Sequence, residues 1–254
     1  MDRLDPASIA LPGVEARVVE RCGSTNSELL SQNPSRPVLL AAETQTAGRG
    51  RRGRRWQSAP GAGITFSLAR RIARQPRELA ALSLVAGVAA AKALRALGVS
   101  RASLKWPNDL LVDGAKLGGI LVETKMQGRV PLAVLGIGIN YRRDASLARR
   151  LRRPIAFLED LVAPAPSRNR VIRRTAEALL EALDAFEAGG LDALREDWLA
   201  LHAHAGQRLR VRLADGRTIS GIAAGLEHDG GLRLRTRSGM RAVRSGRVLS
   251  ARAA

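Results

Sequence analysis

The hydrophobic positions of this chain alternate between strand-like and helix-like spacing. Asp113 and Gly114 lie between the apolar runs LLV and LGGILV, and this pair predicts a tight hairpin because both turn residues require a positive φ. Short apolar runs predict further strands at residues 14–20, 37–43, 64–71 and 130–139.

Helical spacing of apolar residues predicts a core helix at residues 77–97, with Gly98 as its stop. Two more helices are predicted at 168–188 and 190–203, separated by a glycine pair. The polar stretch Ser24-Thr25-Asn26 can cap a short helix, since its side-chain oxygens accept hydrogen bonds from free backbone N–H groups.

A change of pattern near residue 205 predicts two domains. Residues 1–204 contain both predicted helices and predicted strands. Residues 205–254 contain short alternating strands and glycine-rich turns, which are typical of a small β-barrel.

Composition modifies this picture through charge. The 254 residues carry a formal net charge of +19, which is consistent with binding nucleic acid. The basic residues are almost all arginines spread over the whole chain, however, and this favours a compositional bias with solvated basic faces. A basic nucleic-acid-binding protein therefore stays an alternative hypothesis.

The apolar runs, the N-terminus, the single cysteine and the histidines of the sequence bear on cellular location and on metal or thiol chemistry. We find no apolar run of membrane-spanning length and no signal peptide, so we expect a cytoplasmic protein. The single cysteine, Cys22, is expected to be a small buried hydrophobe. His202, His204 and His228 show no spacing typical of metal ligands.

The stretch TAGRGRRGRRW, at residues 46–56, has three interpretations. It contains G-x-G-x-x-G, but RRWQSAPGAG follows and cannot begin the helix that a dinucleotide fingerprint requires. A nucleic-acid groove needs interleaved aromatic residues, and Trp56 is the only one nearby. The third interpretation is a phosphate clamp, in which glycines admit an anion and arginines bind its oxygens.

Four further motifs support the clamp: GSTN at 23–26, KWPNDLLV at 105–112, KLGGILVE at 116–123 and GIGIN at 136–140. Together with ETQTAGRGRRGRRW, their order and spacing resemble the biotin–protein ligase family, from about residue 14 to the end. The resemblance implies an α+β catalytic domain like that of class II aminoacyl-tRNA synthetases, with a mixed central sheet flanked by helices. It also implies a small SH3-like β-barrel at the C-terminus. About a dozen residues precede the first predicted strand, so we expect a monofunctional ligase without the family's DNA-binding repressor domain.

The activity that the resemblance implies is that of a biotin–[acetyl-CoA-carboxylase] ligase. Its substrates are biotin and ATP with Mg²⁺, which give biotinyl-5′-AMP, and no prosthetic group is implied. The implied partner is a biotin carboxyl-carrier protein, whose lysine receives the biotinyl group, and the enzyme is either a monomer or a homodimer. Transfer of lipoate or octanoate by the related fold is the alternative ligase activity.

Residue roles follow from the same resemblance. Lys116 and Arg51 are the expected catalytic cations, because a carboxylate and a triphosphate must meet without repelling each other. Asp109 either binds Mg²⁺ or holds Lys105 and the loops in place. The expected biotin-binding residues are Ser24, Thr25, Asn26, Gln45, Gly48, Arg49, Gly50, Arg51, Lys116, Gly118 and Gly119, and the expected ATP-binding residues are Arg49, Arg51, Arg54, Trp56, Asn108, Lys116 and Asn140.

Overall fold

A seven-stranded mixed sheet forms the larger part of the fold. The computed structural model describes residues 2–126, 128–144, 147, 149 and 153–253. The strands have the spatial order β1-β2-β3-β7-β6-β5-β4, with β1 and β2 parallel and all other neighbours antiparallel. They are β1 (Glu15–Cys22), β2 (Val38–Gln45), β3 (Gly63–Arg71), β4 (Ala102–Lys105), β5 (Asp109–Val112), β6 (Ala115–Lys125) and β7 (Leu132–Asn140).

The hairpin between β5 and β6 has the predicted turn. Asp113 and Gly114 have φ of 50° and 76°, so both adopt the left-handed conformation that the two-residue turn requires. The pairing shifts register between Leu110 and Leu111, where a bulge enters the hairpin. This hairpin delivers the Lys116 side chain to the face of the sheet that carries the site described below.

Helices cover the sheet: α1 (Thr25–Gln32), α2 (Leu82–Ala96), α3 (Arg168–Gly189) and α4 (Arg195–Leu201). Gly87 lets α2 approach the sheet closely, because a Cβ there would lie 3.3 Å from Leu104 Cδ2. The segment Glu78–Ala96 is long and apolar enough to span a membrane, but 72% of it is buried inside the fold. Its apolar character therefore follows from its position in the core.

The C-terminal residues form a second, antiparallel sheet in the order β11-β10-β9-β8-β12, which confirms the predicted α+β architecture with a small β-module. Its strands are β8 (Arg208–Leu213), β9 (Thr218–Leu226), β10 (Leu232–Thr236), β11 (Gly239–Val243) and β12 (Gly246–Arg252). The module docks on the first sheet through Trp106, whose Nε1 donates to the Gly230 carbonyl oxygen at 3.1 Å.

Three local features differ from the sequence prediction. Ser24 occupies the N-cap position of α1, but its side chain makes no capping hydrogen bond, so the expectation that its oxygen caps the helix was wrong. The helix predicted at 190–203 is a 3₁₀ turn, Gly190–Leu194, followed by the short α4. The edge strand β4 was not predicted, because its four residues are too few to show a period.

Candidate active site

A cavity of about 360 Å³ opens where β5, β6 and β7 meet the arginine–glycine loop and the edge strand β12 of the second sheet. This volume lies in the range of small-molecule sites. Its lining changes character from neutral side chains at one end to cations at the other. The residues predicted from sequence that line it are Ser24, Thr25, Asn26, Gln45, Arg49, Gly50, Arg51, Arg54, Trp56, Asn108, Asp109, Lys116 and Gly119.

The neutral end is a buried hydrogen-bond network. The Thr25 backbone N–H donates to Gln45 Oε1 at 2.8 Å, and the Thr25 hydroxyl lies 2.7 Å from Ser67 Oγ. Ser67 Oγ in turn donates to Asn26 Oδ1 at 2.6 Å. Thr25 and Asn26 are only 3% exposed, so these partners are needed to offset the loss of water. The network fixes the orientation of neutral polar groups that a ligand can meet.

Glycines form the floor of the cavity. Gly119 on β6 pairs with Gly138 on β7, and the Trp56 indole lies over both. A Cβ on Gly138 would be 2.5 Å from Trp56 Cε2, and one on Gly136 would be 2.2 Å from Asn26 Oδ1. Trp56 and Asn26 can therefore pack against the floor only because Gly138 and Gly136 have no side chains.

The cationic end is built around Asp109 and Lys116. The Lys116 ammonium donates to the Asp109 carboxylate, and both side chains are largely buried. Burial lowers the pKa of Lys116, and Asp109 opposes that shift. Burial also lowers the pKa of Lys105, again against Asp109. The pKa of Arg51 is likewise lowered, by burial first and then by Arg52. One carboxylate thus balances several cations.

The arginine–glycine loop is a narrow turn. A hydrogen bond of 2.9 Å from the backbone N–H of Trp56 to the Gly48 carbonyl oxygen joins the two ends of the turn. A Cβ on Gly48 would lie 2.6 Å from the Trp56 carbonyl oxygen, so glycine is required there. Gly53 ends a single 3₁₀ turn that begins at Arg51, and no helix follows, which excludes a dinucleotide fingerprint.

Two arginines tie the loop to other parts of the fold. Arg49 forms an ion pair of 2.8 Å with Glu123, which also accepts from Asn26 Nδ2 at 3.0 Å. Arg52, with a left-handed φ of 57°, donates to Ser245 Oγ of the C-terminal module at 2.8 Å. The loop is therefore linked both to the neutral network and to the second sheet.

Three predicted site residues do not line the cavity. Gly48 allows the close approach of the Trp56 backbone in the arginine–glycine loop. Gly118 is packed away from the cavity, because a Cβ there would lie 2.7 Å from the Gly138 carbonyl oxygen and 3.1 Å from Leu110 Cδ1. The Asn140 amide donates to the carbonyl oxygens of Lys116 and Ala156, at 3.0 and 3.3 Å. Asn140 therefore holds the backbone that carries Lys116.

Several lining residues were missed from the sequence. Gly136 and Gly138 belong to the quoted motif GIGIN, and their spacing of two places both on the same face of β7. That alternation could have identified them. The second group comes from outside every motif and gave no local signal: Arg153, Pro154, Gly246, Arg247, Val248 and Leu249.

Other candidate chemistry is limited. In the part of the chain that the structure describes, no group of three His, Cys, Asp or Glu side chains is placed to hold a metal ion. Asp109 is already engaged with Lys116, which fits the positioning role better than that of a metal ligand. Burial raises the pKa of the Cys22 thiol to about 11, so this cysteine is a poor nucleophile.

Comparison with known proteins is consistent with this geometry. Residues 18–140 match the biotin/lipoate A/B protein ligase family, and residues 204–249 match the biotin protein ligase C-terminal domain. The biotin–[acetyl-CoA-carboxylase] ligase of Mycobacterium tuberculosis is 37% identical over 85% of this chain and 81% of its own length. The corresponding ligase of Paracoccus denitrificans is 31% identical, covering 91% and 98%.

A solved structure extends the likeness to three dimensions. The biotin protein ligase of Aquifex aeolicus, in complex with biotin and ATP, superposes with a TM-score of 0.79 at 27% identity, covering 96% of this chain and 100% of that one. Sequence matches and structural likeness thus agree over both sheets. The chain belongs to the biotin–protein ligase family.

Proposed function

We propose that this protein activates biotin with ATP and transfers the biotinyl group to a lysine of a biotin carboxyl-carrier protein. In the first step a biotin carboxylate oxygen attacks the α-phosphorus, giving biotinyl-5′-AMP and pyrophosphate. In the second step the carrier amine attacks the acyl carbonyl and releases AMP. The observation that carries the proposal is the cavity itself, which joins a neutral hydrogen-bonding end to a cationic end.

The neutral end suits the ureido ring of biotin. That ring is uncharged but has N–H donors and a carbonyl acceptor, and leaving one of them unpaired on burial costs about 1–3 kcal/mol. Thr25, Asn26 and Gln45 already exchange hydrogen bonds with one another and with Ser67, so they hold fixed orientations before a ligand arrives. We propose that the acyl chain then runs from this network toward the cations.

At the cationic end, Lys116 and Arg51 bring the two anionic substrates together. We propose that the Lys116 ammonium leaves Asp109 and follows the charge from the biotin carboxylate to the α-phosphate as the bond forms. A lysine is suited to this because its ammonium is a mobile point charge with three donors. Arg51 stays against the acyl phosphate, and Arg49 adds its charge at the Glu123 side.

The nucleotide occupies the side of the cavity next to the outer face of the Trp56 indole. We propose that the indole covers adenine, that Arg54 faces the phosphates, and that Mg²⁺ enters with ATP as part of the substrate. Asn108 lines this side while its amide donates to the Ile120 carbonyl oxygen at 2.7 Å, so its own carbonyl oxygen is the group presented to the nucleotide. Asn140 contributes by holding the Lys116 backbone.

We also propose that residues 1–204 are the catalytic domain and 205–254 the C-terminal module, and that the protein works in the cytoplasm as a monomer or a homodimer. The boundary is supported by the family match that starts at residue 204 and by β8, which begins at Arg208.

The test is incubation of the purified protein with biotin, Mg-ATP and a biotin carboxyl-carrier domain. We expect an avidin-detectable carrier that gains one biotinyl group by mass spectrometry, and no product when the acceptor lysine of the carrier is changed to arginine. Replacing biotin by lipoate or octanoate in parallel distinguishes the alternative ligase activity. An active carrier that remains unmodified, or that accepts lipoate in preference to biotin, refutes the assignment.

A further inference from the structure

Glu123 lies behind the cavity wall, between the neutral hydrogen-bond network and the arginine–glycine loop. It follows Leu121 by two residues on β6, so both side chains project from the same face of the sheet, and Leu121 lines the cavity. Asn26 Nδ2 donates to Glu123 Oε2 at 3.0 Å, and Arg49 reaches Oε1 at 2.8 Å and Oε2 at 3.2 Å. One carboxylate, with its side chain 21% exposed, therefore accepts hydrogen bonds from both parts of the site.

The arginine–glycine loop needs an anchor of opposite charge. Residues 49–55 contain five arginines, and the hydrogen bonds of the turn described above join the loop only to itself. Burial first, and then repulsion from Arg52, lowers the pKa of Arg51, so the guanidinium groups of the loop disfavour one another. Among the ion pairs of the described residues, the pair between Arg49 and Glu123 is the one that includes an arginine of this loop.

The other partner of Glu123, Asn26, is held in a single orientation. Its Nδ2 also donates to the Leu121 carbonyl oxygen at 3.1 Å, and its Oδ1 accepts from Ser67 at 2.6 Å. With these bonds made, one amide hydrogen stays directed at Glu123. Asn26 lines the cavity, so a ligand that joins the network restrains this amide further and restrains the carboxylate with it.

We propose that Glu123 is a positioning residue that couples binding of biotin at the neutral end of the cavity to closure of the arginine–glycine loop. The closed position is the one in which Arg49 contacts Glu123, and Ser27 supports it by accepting from Arg49 at 3.2 Å. Glu123 touches neither substrate, because it acts through Asn26 on one side and Arg49 on the other. The proposal rests on the ligase function proposed above, and it assigns the connection between the two ends of the site to one carboxylate.

Limited digestion with trypsin measures loop closure directly, because trypsin cleaves after arginine and the loop is rich in arginine. The variants are Glu123→Gln, Glu123→Asp and the control Glu177→Gln. Glu177 is a matched control: it also accepts from two arginines, its side chain is 27% exposed, and it lies on α3 and does not line the cavity.

In Glu123→Gln the amide oxygen still accepts from Asn26, but the ion pair with Arg49 is lost. Without ligand we expect cleavage within residues 49–55 to be about fivefold faster than in the wild type, from the loss of one partly exposed ion pair. Biotin should slow this cleavage in the wild type and in Glu177→Gln, and should slow it much less in Glu123→Gln. Glu123→Asp keeps the charge and should recover part of the protection.

Coupling between two events is reciprocal, so a loop that closes when biotin binds also tightens biotin by the same factor. Glu123→Gln should therefore weaken biotin up to about fivefold in a calorimetric titration. In an Arg49→Ala background the ion pair is already absent, and Glu123→Gln should then change the affinity by less than about twofold. A merely structural role of Glu123 predicts the same loss in both backgrounds.

Four outcomes decide the inference. Unchanged loop cleavage in Glu123→Gln overturns it, even in a protein that biotinylates its carrier. Weaker biotin binding with normal protection of the loop also overturns it, since the carboxylate then serves Asn26 alone. Faster cleavage at arginines throughout the chain overturns it as well, because that result indicates a general loss of stability. If the wild type fails to biotinylate a carrier, but biotin protects its loop and not that of Glu123→Gln, the proposed function fails and the coupling stands.

Discussion

Replacing Gly136 by alanine tests whether the glycine floor and the neutral network form one unit. The new Cβ would lie 2.2 Å from Asn26 Oδ1 and 3.0 Å from Asn26 Cγ, far inside van der Waals contact. Asn26 is 3% exposed and cannot turn into solvent. Its side chain therefore has to move within a packed interior.

The cost can be worked out from the bonds that Asn26 makes. Its amide accepts from Ser67 at 2.6 Å and donates to Glu123 at 3.0 Å and to the Leu121 carbonyl oxygen at 3.1 Å. Overpacking costs about 1–3 kcal/mol, and leaving a buried polar group unpaired costs a further ~1–3 kcal/mol. We expect Gly136→Ala to lower the free energy of unfolding by about 2–6 kcal/mol, and to weaken biotin binding at least about tenfold.

Urea unfolding followed by circular dichroism measures the free energy of unfolding, and calorimetric titration measures the affinity for biotin. Gly23→Ala is the matched control for stability, because a Cβ at Gly23 meets no atom within 4 Å and φ there is not positive. The double variant Asn26→Ala/Gly136→Ala removes the clash, so the glycine substitution should cost much less in that background. Equal stability of Gly136→Ala and Gly23→Ala, within about 0.5 kcal/mol, refutes the reasoning.

Three further predictions concern individual side chains. Lys116→Ala should lower the rate of adenylate formation by at least about 100-fold while leaving the circular dichroism spectrum intact, and normal turnover would remove its assigned role. Arg51→Ala should speed release of biotinyl-5′-AMP in a stopped-flow chase, whereas release at the wild-type rate contradicts its contact with the acyl phosphate. Burial lowers the pKa of His202 from 6.5 to about 4. Between these two pH values the imidazole is protonated in the unfolded state but neutral in the folded state, so the free energy of unfolding should fall as the pH drops from about 6.5 to 4. The loss of stability approaches about 3 kcal/mol, and the His202→Phe variant should show a smaller dependence of stability on pH. His204, whose pKa is also lowered, lies beside the His202 ring. An unchanged pH profile of stability in His202→Phe would disprove the attribution to His202.

Local chemistry made much of the fold predictable. The Asp113-Gly114 turn was found because few residue pairs adopt two successive left-handed conformations. The core helix α2 was found because nearly every residue on it is apolar. The four-residue edge strand β4 was missed, since its pairing is decided by β5 and its burial by α2.

The residues of the candidate site that lie in sequence motifs were predictable, whereas those that only the tertiary fold brings to the cavity were not. Lys116, Arg51 and Gln45 were identified from family motifs, and the structure brings them to one cavity. Gly118 and Gly119 were assigned together, but successive strand residues face opposite sides of a sheet, and only Gly119 reaches the cavity. Arg247 lies more than a hundred residues from any motif, so only the docking of the second sheet reveals it.

The position of Trp56 gives this protein a built-in optical probe. Trp198 is 1% exposed and does not line the cavity, whereas Trp106, which is 2% exposed, forms part of the cavity wall. Trp56 is partly exposed, rests on Gly138, and has a buried indole N–H without a hydrogen-bond partner among the described residues. The difference in ligand-dependent intrinsic fluorescence between the wild type and Trp56→Phe therefore isolates the signal of this ring, which reports on the cavity without any added label.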